Sequence, residues 1–209
     1  VSVSRIGLRV LQLSRAIGVA SGERFNCTVG GQMVRWGALP EHTADVRIDI
    51  GNAQDIEIRP GAARLRRAVL VTLDGIAKGF AVDRAITLLI RRGVSSGWVN
   101  AGGDLRVYGD KRLEIVRRER DGRLQSLGYL QNGAIASSLA GGQGAKDLPG
   151  RMVGAVTRRD DRDTVISVIA RSAWRADALT KVAGAAATTG RSALVSRLGG
   201  TLVVPGTHS

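Results

Sequence analysis

Between residues 97 and 138, strand-like patterns follow one another with only short turns between them. GWVNAGGDLRVYG (97–109) reads as strand, glycine turn, strand, and RLEIVR, LQSLGYL and GAIASS continue a meander. Elsewhere helices are inserted singly. Ile6, Val10, Leu13, Ile17 and Ala20 recur at three- and four-residue steps, the apolar face of a helix from Arg5 that Gly22 stops. A second helix runs from about Lys78 to Arg92 and closes at Gly93. A third, which Ser172 can cap, runs to about Ala187, and a short helix and the strand TLVV follow. VRIDI (46–50), MVGAVT (152–157) and TVISVIA (164–170) also read as strands, and DIEIR (55–59) and AVLVTL (68–73) flank Pro60-Gly61 as a hairpin. Residues 22–42 are mixed and turn-rich, and GGQGAKDLPG (141–150) is a flexible loop by composition. Strands that follow strands, with single helices between, favour an α+β fold over a doubly wound parallel sheet. No linker or internal repeat divides residues 1–209, so one domain is expected.

Composition removes several classes. Hydrophobic residues make up 44% of the chain, enough for a core, yet no apolar run of about 18 residues marks a membrane span. The N-terminal VSVSRIGLRVLQLSR lacks the charged, apolar and small-residue order of a signal peptide. Cys27 is the single cysteine, and His42 and His208 are the two histidines, so neither a disulfide, a multi-cysteine zinc site nor a Ser-His-Asp triad is expected. The formal charge is +13, carried mostly by arginine. Such an excess can mark a polyanion-binding face. The arginines are spread along the chain, however, and aromatic residues are only 3%, so platforms for base stacking are few and no specific nucleic-acid partner is expected.

Chemistry concentrates in three short stretches. In TLDGIAKGFAVDRA (72–85), Gly75 admits backbone close to a ligand, and Lys78 adds positive charge where a helix opens and anions are favoured. The plain alternative is a strand-to-helix turn with a solvated lysine. In NAGGD (100–104), Gly102 and Gly103 can admit a cofactor's rings or phosphates, or Asn100 and Asp104 can simply hydrogen-bond the turn. Dinucleotide-binding G-x-G-x-x-G spacing is absent. In ADALTK (176–181), Asp177 shares a helix face with Thr180 and Lys181. A carboxylate beside Leu179 and Val182 needs a partner, whether lysine, arginine or metal.

Taken in order, these stretches resemble the ApbE family, the FAD:protein FMN transferases. TLDGIAKGFAVD is similar to the family's DLGGIAKGYAVD, NAGGD appears intact, and ADALTK is similar to ADAL-Ser/Thr-Thr. GERFNCTVGGQMVRWG (22–37) looks like the family's G-x-F-D-x-T-V-x-P-L…W-G, and IASS (135–138) resembles an Ala-Thr-Ser-Gly turn. The resemblance implies a T-fold-type arrangement of antiparallel sheets with helices packed on them, without the family's first strands. It implies FAD and Mg²⁺ as cofactors, transfer of FMN to a Thr or Ser of a target flavoprotein with release of AMP, and a bacterial periplasmic or membrane-associated setting. By position, the metal falls to Gly75, Asp177 and Lys181, with Thr180 beside them. Flavin contacts fall to Trp36, Gly37, Ala38, Thr72 and Lys78, and the catalytic roles to Asp177 and Lys78.

Departures from the pattern fall on the same positions. Thr72 stands for the turn's Asp, Asp74 for a Gly, and Lys181 for the metal-binding Thr. KDLPGRMVG (146–154) holds no histidine where the family has His-x-x-Asp-Pro. An ammonium at 181 either repels Mg²⁺ or replaces it by pairing with Asp177. Two functions follow from the resemblance: a flavin transferase, or a non-catalytic relative that binds flavin or a protein partner. A polyanion-binding module is a third, from the charge.

Overall fold

The structure, a computed structural model, describes residues 1–40, 48–119, 121–140 and 164–203. MVGAVT, GGQGAKDLPG, KDLPGRMVG, His42, His208 and the first two residues of VRIDI lie outside them. Helices α1 (Arg5–Ser21), α2 (Gly30–Arg35), α3 (Ala77–Arg91), α4 (Ala173–Ala185) and α5 (Arg191–Arg197) accompany the strands. The strands are β1 (Ile56–Arg59), β2 (Ala62–Leu65), β3 (Gly97–Ala101), β4 (Asp104–Tyr108), β5 (Leu113–Arg118), β6 (Leu124–Leu130), β7 (Gly133–Ala140), β8 (Thr164–Ala170) and β9 (Gly200–Val203). Five strands form one sheet in the order β3-β4-β7-β8-β9, antiparallel throughout, while β1-β2 and β5-β6 are separate hairpins. The fold is therefore α+β with antiparallel sheets.

Helix α4 is the centre of this arrangement. It is buried along its length, from Ala173 to Gly184, with Leu179 and Val182 in one core with Ile76, Val168 and Val195. Each such aliphatic side chain contributes about 1.5–3 kcal/mol when fully buried. Its alanines let α3 and the sheet approach closely. Helix α1 covers another side of the core, with Val10, Ser14, Ile17 and Gly18 turned inward. Ile6 is 57% exposed and Ala20 is also at the surface, so the inward stripe is rotated from the apolar positions read in the sequence. Small Ser14 and Gly18 lie inward because Phe25 and Ala53 pack close: a Cβ on Gly18 would stand 3.4 Å from that of Ala53.

Four other expectations need correction. The hairpin at Pro60-Gly61 pairs β1 with β2, Arg59 opposite Ala62, and not with residues 68–73. A two-residue turn brings the nearest residues into register, whatever the β propensity further along. The stretch 68–73 instead lies along the loop before α2, where Gly30 N donates to Leu70 O (3.0 Å) and Thr72 N to Cys27 O (2.8 Å). Of VRIDI, Ile48 makes an isolated parallel bridge to Val69 and residues 49–50 form no strand. The turn-rich stretch 22–42 contains α2. GAIASS lies within β7, as the strand pattern implies, but β5-β6 leave the meander as a ribbon of their own.

Candidate active site

The glycines of the turn into α3 answer to packing. A Cβ on Gly79 would stand 2.3 Å from the carbonyl oxygen of Ala173, so only glycine lets α3 lie against the start of α4. Asp83, one turn further along α3, then caps α4 from outside. Its Oδ1 accepts from Ala173 N (3.0 Å) and its Oδ2 from Trp174 N (2.9 Å), and Arg106 of β4 donates to Oδ1 at 2.6 Å. A carboxylate on the free N–H groups of a helix start is favourable. Ser172, the cap expected from the sequence, makes no such hydrogen bond. The two helices are thus locked with Lys78 and Asp177 on neighbouring turns, and Gly79 N points at Asp177 Oδ2 (3.4 Å).

Asp177 is fully buried and its partner is Lys181, whose ammonium donates to Oδ1. Lys181 Nζ also donates to Ser138 Oγ at 3.0 Å. Thr180 Oγ1 donates to the backbone carbonyl of Asp177 (2.7 Å) and lies 2.8 Å from Ser138 Oγ. The direction of every proton in this chain is determined. An ammonium only donates and a carbonyl only accepts, so Thr180 spends its single proton on Asp177 and Ser138 must donate to Thr180. Lysine, serine, threonine and aspartate therefore close one ring between α4 and β7.

Asp104, at the far edge of NAGGD, joins from the other side. Asn100 does hydrogen-bond the turn, accepting from Gly103 N at 2.9 Å, but Asp104 is buried at 1% exposure and turns inward. Its Oδ2 is 3.5 Å from Lys78 Nζ, an ion pair by distance without hydrogen-bond geometry. Burial pushes its carboxyl up to about 7, helped by the charge of Asp177 and by a carboxyl–carboxyl hydrogen bond; Lys78 and Lys181 pull the other way.

A cavity of about 490 Å³ opens beside this cluster. Its lining includes Thr72, Asp74, Gly75, Lys78 and Lys181, with Ala38, and it adds Phe25, Met33 and Ser138, to which the sequence pattern assigns no individual role. Thr180 and Asp177 stand behind Lys181 and are fully buried. Trp36 and Gly37, at the end of α2, are outside the lining, as are Gly102 and Gly103, which are exposed. The structure thus gathers Gly75, Lys78, Asp177, Thr180 and Lys181, and leaves both the Trp36-Gly37 and Gly102-Gly103 pairs apart. Ser138 was visible in the sequence only as part of IASS; its role needs the strand pairing that sets β7 against α4.

The residues do not fit Mg²⁺. A magnesium ion takes oxygen ligands in octahedral array. Here Asp177 Oδ1 is held by an ammonium, and Thr180 Oγ1 already accepts a hydrogen bond from Ser138. Among the described residues no group of three or more His, Cys, Asp or Glu is placed to hold a metal. None of the described helices is long and apolar enough to cross a membrane.

Helices locked through a Gly-Ile-Ala-Lys-Gly turn, NAGGD and a buried ADAL aspartate are the marks of one family, and the chain belongs to it: the ApbE family matches over residues 1–204. No curated protein matches the chain. Among solved structures it is similar to the flavinyl transferase ApbE of Pseudomonas stutzeri in its apo form, with 20% identity and a TM-score of 0.74 over 99% of this chain and 71% of that one. The ApbE protein of Thermotoga maritima has 21% identity and a TM-score of 0.78, covering 97% and 73%. The flavin transferase ApbE of Vibrio cholerae has 21% identity and a TM-score of 0.70, covering 94% and 69%. At such identities the likeness is one of fold.

Proposed function

We propose that this chain binds FAD in the cavity beside α4 and transfers FMN from it to a Thr or Ser hydroxyl of a target flavoprotein. The observation that carries this reading is the lining itself: Arg24, Lys78 and Lys181 supply cations, Asp74 is the one carboxylate among the described lining residues, and Phe25, Val29, Met33 and Leu139 are apolar. An apolar wall beside clustered ammonium groups suits a ligand with a flat ring at one end and a pyrophosphate at the other. Lys78 and Lys181 hold the phosphates in this reading, Asp177 holds Lys181, and Ala38 and Thr72 border the ring. Trp36, Gly37, Gly102 and Gly103 lie outside the lining and contact only a part of a ligand that extends past it. Membership of the ApbE family supports the choice of flavin.

The reaction forms a bond between the target hydroxyl oxygen and the FMN-side phosphorus and breaks the pyrophosphate bridge, releasing AMP and a proton. Charge builds on the phosphate oxygens during this displacement, and fixed ammonium groups against those oxygens stabilise it. A second reading, flavin or partner binding without turnover, is favoured by one observation: the ammonium of Lys181 at the carboxylate where the family resemblance expects a metal. Mass spectrometry of a Thr- or Ser-containing target peptide incubated with FAD separates the two, because only transfer adds the mass of FMN and frees AMP. For binding itself, Lys78→Ala should weaken FAD by about tenfold, the loss of one charge-assisted contact, with little change in Tm because the lysine side chain is half exposed. Equal affinity in variant and parent would remove Lys78 from the site.

A further inference from the structure

We infer that Lys181 is a cation built into the chain in place of a bound metal, so that this site takes a pyrophosphate group without any divalent ion. The inference rests on the FAD reading for the identity of the anion, and on the geometry of Lys181 for the cation. That geometry is specific. The lysine stem lies along the turn into α3: a Cβ on Gly75 would stand 3.6 Å from both Cγ and Cε of Lys181. The ammonium is then fixed by Asp177 Oδ1 and Ser138 Oγ, and Ser138 is itself fixed by Thr180. Two of its three N–H groups are used in this way. Lys181 also lines the cavity and its side chain remains 24% exposed, so the third N–H is available to a ligand.

Charge balance points the same way. Asp177 is fully buried, and a buried carboxylate without a counter-ion is strongly disfavoured. In this chain the counter-ion is covalently attached and already ordered. A divalent cation on the same carboxylate would have to displace the ammonium from both of its acceptors and then stand beside it, like charge against like. Beyond the carboxylate itself little is gained, since Lys181 has no lone pair to give while protonated and the Thr180 hydroxyl is engaged in the ring. Lys78, also on the cavity wall, adds a second fixed positive charge. The pair supplies to phosphate oxygens the charge that a metal would, as hydrogen-bond donors rather than as a Lewis acid.

The test is a titration of the whole chain with FAD, read by flavin fluorescence, in EDTA and in excess Mg²⁺, and with inorganic pyrophosphate, read by calorimetry, in EDTA. We expect FAD affinities that agree within about twofold between the two conditions, since the resident cation is not exchangeable. Calorimetric titration with Mg²⁺ alone should give no binding isotherm. Lys181→Thr should bind Mg²⁺ and make FAD binding depend on it, and Lys181→Met should weaken both anions in EDTA by about tenfold or more. If Lys181→Met does not fold, the comparison of EDTA with Mg²⁺ on the parent decides alone. FAD binding that requires Mg²⁺ in the parent would overturn the inference and leave the flavin reading standing. Pyrophosphate binding in EDTA without FAD binding would do the reverse. Failure of both anions to bind would overturn both.

Discussion

Two glycine turns border the candidate site, and they use glycine for different reasons. In the turn into α3, Gly79 is buried, and the room a Cβ would need is filled by the backbone of Ala173 and Trp174 at 2.3–2.7 Å. In NAGGD, Gly102 and Gly103 are exposed, with nothing within 4 Å of a built Cβ, and have φ of +57° and +96°. The first turn needs glycine because another helix is there; the second needs it because the backbone is left-handed. The aspartates differ in the opposite sense. Asp74 of the first turn is exposed, whereas Asp104 of the second is buried against Asp177. A turn that reads as one unit in the sequence is therefore divided in space: NAGGD gives its glycines to solvent and its carboxyl to the site.

The largest effect that separates the turns is Gly79→Ala. The added carbon meets backbone, which cannot turn aside as a side chain can, so α3 and α4 must move apart. Overpacking of this kind costs about 3 kcal/mol or more, and for a chain of 209 residues that lowers Tm by roughly 10 °C. Thermal denaturation checks it. A Tm within a degree or two of the parent would show that α3 and α4 are not held by this contact, and the position of Lys78 relative to Asp177 would lose its physical basis.

The second effect is a pH dependence that belongs to Asp104. Its carboxyl titrates near 3.8 when unfolded and is raised to about 7 in the fold. Between those values the folded chain binds more protons than the unfolded one, so stability falls as pH rises from about 4 to about 7 and is flat above that. The contribution lost between pH 5 and pH 8 is about 2.5 kcal/mol. Asp104→Asn keeps the shape and removes the titration, so its stability relative to the parent should improve as pH rises across that window. Denaturant unfolding of both proteins at pH 5 and pH 8 measures this. Identical changes in the two would show that Asp104 is not buried against Asp177.

What was legible in the sequence was set by local pattern. The extents of α3 and of β3-β4 follow from periodicity and the glycines that end them, that of β8 from its β-branched run, and the i,i+4 spacing of Asp177 and Lys181 already put them on one face. What was not legible depends on which elements meet. Nothing local assigns Asp83 and Arg106 a role, yet Asp83 caps α4 and Arg106 holds Asp83 because β4 and α3 are neighbours. Ser138 gains its role only when β7 lies under α4. Val10, Leu13 and Ile17 of α1 face the core as their spacing implies, but Ser14 and Gly18 share that face because of what packs there, which hydrophobicity alone does not show. The site's outline was thus available from motifs, while its chemistry, an ammonium held in a ring of hydroxyls, needed the packing of three elements.

The smallest effect tests whether a ligand reaches the second turn at all. In Gly103→Ala, the new methyl group points into open space but the residue must hold φ near +96°. A left-handed conformation costs a non-glycine residue about 1 kcal/mol, so Tm should fall by only about 3 °C. FAD affinity should stay within about twofold if the ligand is confined to the lining around Lys78 and Lys181, since no contact with it is then lost. The two readouts part company if the turn is a ligand contact: the methyl group would then occupy space meant for rings or phosphates, and affinity would fall by tenfold or more with the same small change in Tm. That result would extend the site across Asp104 to the outer face of NAGGD, and would make the exposed glycines a matter of ligand access as well as backbone conformation.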